Sequence, residues 1–168
     1  MGKRSDVKKA KLKSILLEYL KDSNRSDRQI AKVLGVSQPT VSRMRSRLLE
    51  EGLVRHFSAI PDFAKMGYEI MAFSFVKFNM ERVKEIEEKA KDWAQCHPEI
   101  IFSSRAEGMG MDAITVSVHK NYAEYMGFLI ENKKWRKFVV EAHYILVDLG
   151  GDVTKPFSFK YLAEKQEK

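Results

Sequence analysis

The sequence predicts an α+β protein, with an N-terminal helix-turn-helix (winged-helix-like) domain and a C-terminal ferredoxin-like βαββαβ sandwich. Two helical patterns meet at a glycine turn within residues 1–52, and strand and helix patterns alternate through residues 68–150, the predicted second domain. Positive charge is concentrated in the first part. Residues 53–67 are predicted as a connecting strand and hinge, and residues 151–168 as a C-terminal strand and charged tail.

The first helix is predicted over residues 6–21, after a loose basic arm at residues 1–5. Its apolar residues recur at three- and four-residue spacing: Leu12, Ile15, Leu16, Tyr19 and Leu20. Such a helix can lie across the following two helices and complete a three-helix core.

The second helix and the turn that follows it have clear end signals. Ser26 and Gln29 have the spacing of a capping box. Gly35 stands where the chain must reverse, at a position that tolerates positive φ. Ser37 is expected to cap the third helix by directing its hydroxyl at the amide of Thr40.

The third helix has an apolar face and a polar face. Val41, Met44 and Leu48 are predicted to point inward. The opposite face and its flanks carry the residues expected to contact DNA: Gln38, Thr40, Ser42, Arg43, Arg45, Ser46 and Arg47. Of these, Gln38, Ser42 and Arg43 are predicted to reach base edges in a major groove.

Phosphate contacts are expected from the arginines flanking that face and from cations on the second helix: Arg45, Arg47, Arg25, Arg28 and Lys32. The alternative interpretation is a two-helix corner that is plain core architecture, with its arginines on a solvated face. Charge favours the DNA interpretation, because residues 1–60 hold 14 Lys and Arg against 6 Asp and Glu, a net of +8, and the remainder has a net of −1.

Composition narrows the function class further. Cys96 is the only cysteine, so no internal disulfide forms and a reducing cytoplasmic interior is expected. The basic start leads into no apolar signal segment, and no run approaches membrane-spanning length, so no membrane partner is predicted.

The second half is predicted to contain strands at residues 68–78, 99–104, 113–119 and 137–147, and helices at residues 81–95 and 121–132. Helices would cover one face of an antiparallel sheet. The other face is aromatic and is expected to be covered by a partner subunit. One more short strand is predicted around residues 157–161.

These features resemble the Lrp/AsnC (feast/famine) transcriptional regulators of archaea and bacteria. The resemblance is carried by IAKVLGVSQPTVSRMRSRLLEEGLV, by the PDFAKMGY turn, and by a ferredoxin-like second domain with a glycine loop before its third strand. It implies control of transcription through double-stranded DNA, a homodimer built through the sheets that assembles further into an octamer, and tuning by an amino acid bound between second domains.

The resemblance places the amino-acid effector at the glycine loop, at Gly108, Met109, Gly110 and Asp112. Family members commonly have Gly, two spacer residues and Asp here, whereas this chain has three spacers from the first glycine and one from the second. A glycine hairpin turn that binds nothing is the alternative.

No catalytic or metal-binding residues and no cofactor are predicted, because the four histidines are scattered and lack metal-ligand spacing. The protein is expected not to be an enzyme. Two alternatives stay open: a siroheme-decarboxylase-like enzyme of similar layout, using His119 or His143, and a helix-turn-helix that contacts only protein.

Overall fold

The computed structural model describes residues 2–151 and 153–166. The chain forms two compact units, Met1–Ile60 with Lys155–Lys168, and Pro61–Thr154.

The helices are α1 (Gly2–Lys21), α2 (Asp27–Leu34), α3 (Gln38–Glu50), α4 (Val83–Gln95), α5 (Tyr122–Glu131) and α6 (Lys160–Lys165). The strands are β1 (Ile70–Phe78), β2 (Ile100–Gly108), β3 (Met111–His119) and β4 (Val139–Asp148), and 3-10 helices occupy Met80–Arg82 and Asn132–Phe138. Helix α1 begins at Gly2, so the arm predicted at residues 2–5 is helical, while Met1 lies outside the described residues. Lys3 and Arg4 are good helix formers and no proline interrupts the segment, so helix propagates to the start.

The first unit has one apolar core built from its three long helices. Its buried members are Leu12, Ile15, Tyr19, Ile30, Ala31, Val41, Met44 and Leu48. The inward faces predicted for α1 and α3 are therefore confirmed. Leu34, Val36, Val54 and Phe57 pack against this core at its edge.

A charged group is also buried in this unit, which the sequence pattern did not indicate. Glu18 is only 3% exposed. Its carboxylate pairs with Lys21 Nζ at 2.6 Å and with the Arg25 guanidinium. Two cations therefore compensate the desolvation of one carboxylate. Arg25 is predicted to contact phosphate, but its guanidinium is paired with Glu18 instead.

The connecting strand predicted in residues 53–67 is wrong, because this segment contains no β-strand. Its start is held by other means. The Val54 amide donates to the Leu48 carbonyl at 2.9 Å, and the Phe57 ring meets the Tyr19 ring edge-on at 5.0 Å. The first unit contains no strand among its described residues with which this segment could form a ladder.

The C-terminal strand predicted around residues 157–161 is also wrong. The chain instead forms α6, which packs against α1 and buries Ala163 completely. A Lys160–Glu164 pair at 3.8 Å has helical i, i+4 spacing. Packing of one small residue onto α1 outweighs the alternation of aromatic residues before it. Residues 167–168 of the predicted charged tail lie outside the described residues.

The second unit contains a four-stranded antiparallel sheet of order β2-β3-β1-β4. With α4 and α5 as the crossover helices, this is the ferredoxin-like βαββαβ arrangement, so the predicted fold class is confirmed. Ser74 pairs with Thr115 and Ala72 with Ser117, and all four are buried. They share the face of the sheet that the helices cover.

His119 is the most buried titratable group of this unit, at 1% exposed. It lies 2.9 Å from Ser117 Oγ and contacts the rings of Tyr125 and Phe128 at 5.3 Å. Burial holds the pKa of His119 below its usual value, although the charges of Glu124 and Glu99 act in the opposite direction. The folded protein therefore keeps this imidazole neutral.

We expect the second unit to lose stability as the pH falls below about 6.5, because there the unfolded chain binds a proton that folded His119 does not. The measurement is urea unfolding at pH 7 and pH 5, followed by tryptophan fluorescence, since both tryptophans lie in this unit. His119→Gln should flatten the pH dependence, and His143→Gln, with an exposed side chain, should leave it unchanged. An unaltered slope in His119→Gln would contradict the assignment.

Candidate nucleic-acid interface and effector loop

The start of α2 and the turn between α2 and α3 both have the local geometry that the sequence predicts. Gln29 donates its amide to Ser26 Oγ at 3.3 Å, and Ser26 donates its own to Gln29 Oε1 at 2.7 Å, which confirms the capping box. Gly35 adopts the left-handed conformation with φ 63° and ψ 34°. Its amide and that of Val36 both donate to Ala31 O. The chain therefore reverses in a defined geometry before α3.

The predicted cap at the start of α3 is wrong in its hydrogen bond. Ser37 is the N-cap residue, but its hydroxyl bonds to Thr40 Oγ1 at 2.8 Å, not to the amide. The Thr40 amide donates to Ser37 O at 3.0 Å instead. Because that amide already has a partner, the two hydroxyls pair with each other.

The two faces of α3 differ in burial as predicted. Val41 and Leu48 are completely buried and Met44 is 7% exposed. The outward residues Gln38, Ser42, Arg43 and Ser46 are exposed. None of their side chains hydrogen-bonds or pairs with another described residue. Their donors and acceptors are therefore available to a ligand.

The three arginines of α3 have different surroundings. The Arg45 guanidinium lies 4.8 Å from the Phe57 ring centroid and 5.8 Å from that of Tyr19. Arg47 pairs with Glu51 one turn along. Arg43 has no such contact among the described residues. Arg43 is therefore the free guanidinium of this helix.

Arg45 belongs to a small cluster centred on Asp27. Tyr19 donates its hydroxyl to Asp27 Oδ1 at 2.7 Å, and Arg45 Nη1 lies 3.8 Å from the same oxygen. Burial, and then the bond to Asp27, raise the pKa of Tyr19 well above its usual value. Tyr19 therefore remains a neutral donor, and the cluster joins α1, α2 and α3.

The cations Arg28, Lys32 and Arg55 are also exposed and form no ion pair among the described residues. Arg28 and Lys32 lie on α2, as predicted. Arg55, five residues beyond the end of α3, was missed. The only sequence feature that could have indicated Arg55 is its position within the basic first sixty residues.

The glycine loop is a tight hairpin turn between β2 and β3. Gly108 pairs with Met111, leaving Met109 and Gly110 as a two-residue loop with φ of 53° and 73°. Positive φ at both positions is typical of a type I′ turn. Met109 is 80% exposed at its tip.

Asp112 is separated from that tip by its own contacts. Its Oδ2 accepts a hydrogen bond from the Phe78 amide at 2.8 Å, and the residue is half-buried. Asp112 lines a cavity under the helices, whereas Gly108, Met109 and Gly110 do not. The structure therefore does not bring the four predicted effector residues around one pocket.

The two histidines of the enzymatic alternative have different surroundings. His119 is buried beneath α5, whereas His143 is exposed and sits 2.9 Å from Glu141. Among the described residues, no group of three His, Cys, Asp or Glu side chains is placed to hold a metal ion.

Comparison with known proteins agrees with this geometry. Residues 9–55 match the family model described as winged helix-turn-helix DNA-binding. An uncharacterized HTH-type transcriptional regulator of Pyrococcus furiosus is 38% identical over 77 residues, covering 46% of this chain and 52% of the relative. The HTH-type transcriptional regulator FL11 of the same organism is 28% identical over 117 residues, covering 70% and 74%.

Solved structures extend the similarity to both units. A Neisseria meningitidis transcriptional regulator in complex with L-Met superposes with a TM-score of 0.73 at 16% identity, over 88% of this chain and 92% of that one. An AsnC family transcriptional regulator from Agrobacterium tumefaciens gives 0.67 at 19% identity, over 90% and 97%. The protein has the Lrp/AsnC architecture. The fold that the resemblance implies is therefore confirmed.

The relatives also bear on the alternatives. Those above are named as transcriptional regulators, so they favour a regulator over the decarboxylase-like enzyme. The alignment with the first of them spans about half of that relative's length. Within the part of the chain that the structure describes, no helix is long and apolar enough to cross a membrane.

Proposed function

We propose that the protein is a sequence-specific transcriptional regulator that binds double-stranded DNA as a homodimer in the cytoplasm. The observation that carries the proposal is the exposed polar face of α3, whose side chains have no partners within the described chain. A helix presented on a helix-turn-helix corner can enter a major groove and use such side chains on base edges.

The surroundings of each cation divide the interface into base and phosphate contacts. Arg43 is unpaired beside Gln38 and Ser42, so it reads bases in this proposal. Arg28 and Lys32 on α2 contact phosphates and set the register of the helix in the groove. Thr40 and Ser46 border the base-reading residues. Arg45 and Arg47 reach phosphates only by sharing their present contacts with Phe57 and Glu51.

Arg43→Ala should weaken binding to the cognate operator by about 1–3 kcal/mol and affect random DNA much less, because a base contact is lost. Lys32→Ala should weaken both DNAs alike and reduce the salt slope by about one ion. Binding measured across a salt series distinguishes the two. Lys133→Ala, an exposed cation of the second unit, is the control. If Arg43→Ala leaves discrimination between operator and random DNA unchanged, the base-reading role is wrong.

The proposed dimer forms through the outer face of the sheet, opposite the helices. One row across all four strands is apolar and in register: Phe102, Val116, Phe73 and Ile145. Its two edge members, Phe102 and Ile145, are 54% and 55% exposed. Val118, Met71 and Val147 form a second row beside it. An apolar surface of this kind is what a subunit interface covers.

Light scattering of the full chain should show a dimer or a multiple of it, including the octamer that the resemblance implies. Ile145→Lys should dissociate that assembly, because it places a charge within the apolar row. Leu146→Lys, at the next residue and on the other face, is the matched control. A wild-type monomer at micromolar concentration would contradict the dimer and, with it, a near-palindromic operator with half-sites roughly 34–36 Å apart.

We further propose that an amino acid tunes this regulator at the β2–β3 loop. One support is the Neisseria regulator solved in complex with L-Met. Another is Asp112 itself, because only its Oδ2 is bonded to the Phe78 amide and its second carboxylate oxygen can meet an ammonium group. A ligand that prefers the DNA-competent state shifts operator affinity by its differential affinity.

At least one of the twenty amino acids should raise the melting temperature and change operator affinity when titrated. Asp112→Asn should abolish that response, because it removes the charge while keeping an acceptor for the Phe78 amide. Glu107→Gln, an exposed acid of the same hairpin, should respond as the wild type does. A response undiminished in Asp112→Asn, or none with any amino acid, would remove this site.

A further inference from the structure

The second unit contains a cavity of about 1190 Å³ between its helices and its sheet. Residues of α4, α5 and the 3-10 helix Asn132–Phe138 form one wall, and all four strands contribute to the other. Ser103 and Tyr144, on the two edge strands, line the cavity and are themselves exposed, so it is open to solvent. It lies on the opposite face of the sheet from the proposed dimer surface.

Small side chains on the sheet leave this space unfilled. The floor is formed in part by Ser74, Ser103, Ala113, Thr115 and Ala142. Protein interiors are otherwise packed as densely as organic crystals, and a core at this place would carry large aliphatic residues. Five small residues on all four strands therefore indicate a cavity built into the fold.

The floor also presents hydroxyl groups to the cavity. Ser74 is only 7% exposed, and its hydroxyl bonds to no other described residue. Next to it across the strands, Thr115 Oγ1 lies 3.3 Å from Ser103 Oγ. Hydroxyl groups that line a cavity can donate to or accept from a ligand.

The helical wall is aromatic. Trp93 lies 5.6 Å from the Trp135 ring and 6.2 Å from Phe128, and all three line the cavity. The indole of Trp93 is held in place by its hydrogen bond to Asn132 Oδ1. Rings fixed in this way offer flat apolar surfaces to a ligand ring.

The charged residues at the margin balance one another. Arg105 is paired with Glu87. Two lining cations, Lys91 and Arg136, and two lining acids, Glu107 and Asp112, form no ion pair among the described residues.

We propose that this cavity binds an aromatic small molecule larger than a single amino acid. Ligand pockets for molecules of drug or cofactor size measure about 300–1,000 Å³, so a single amino acid would leave most of the space empty. Aromatic rings pack against the tryptophan wall, and hydrogen-bonding groups meet Ser74 and Thr115. The cavity belongs to the second unit, and its margin includes Asp112, the acid proposed for the amino-acid site.

The test uses the full chain and the anionic probe anilinonaphthalene sulfonate. The chain has two tryptophans and both line the cavity, so energy transfer from tryptophan to the probe reports binding there. We expect saturable binding of one probe per chain, with quenched tryptophan emission.

Two substitutions fill the cavity from opposite walls, Ser74→Leu on the sheet and Ala90→Phe on α4. Each should weaken probe binding roughly tenfold or more with unchanged far-ultraviolet circular dichroism. Glu88→Phe, on the exposed side of the same helix, is the matched control and should bind as the wild type does. If Ser74→Leu fails to fold, Ala90→Phe decides. Absence of saturable energy transfer, or full binding in a folded filling variant, would overturn the proposal.

Discussion

The hydrogen bond from Tyr19 to Asp27 is the contact on which the geometry of the DNA-binding unit depends. It joins α1 to the first turn of α2, and Arg45 of α3 lies against the same carboxylate. A neutral hydroxyl bonded to a carboxylate is a strong, directional contact in a buried site. Because Phe57 contacts both Tyr19 and Arg45, the segment after α3 is held by the same cluster. The outward face of α3 is thereby set relative to the other helices.

This cluster also changes how the basic residues of α3 are interpreted. A cation over an aromatic ring contributes about 0.5–1 kcal/mol at an exposed site, and a surface ion pair contributes about as little. Arg45 and Arg47 therefore have modest intramolecular contacts that a phosphate could compete with. Arg43 has none to give up. A base contact therefore costs less free energy at Arg43 than at Arg45 or Arg47, because Arg43 has no intramolecular contact to break.

Both faces of the sheet in the second unit have surface that the chain leaves uncovered. The side chains on each face suit a different kind of partner. The outer face carries large apolar side chains in register, which a second protein surface can bury. The helix-facing cavity has a floor of hydroxyls and methyl groups beneath fixed indole rings, which suits a small molecule with both polar and aromatic parts. One sheet can therefore present two chemically different surfaces because successive side chains point to opposite faces.

The sequence by itself determined the fold class, the inward faces of α1 and α3, the capping box and the left-handed Gly35. All of these follow from local periodicity and from what a single residue type permits. Tertiary structure decided the rest. Residues 53–60 and 157–161 looked like strands but had no ladder to join, Glu18 and Arg25 met across the chain, and Asp112 turned to the Phe78 amide. The cavity is likewise invisible in sequence, because it arises where small residues from four separate strands come together under one layer of helices.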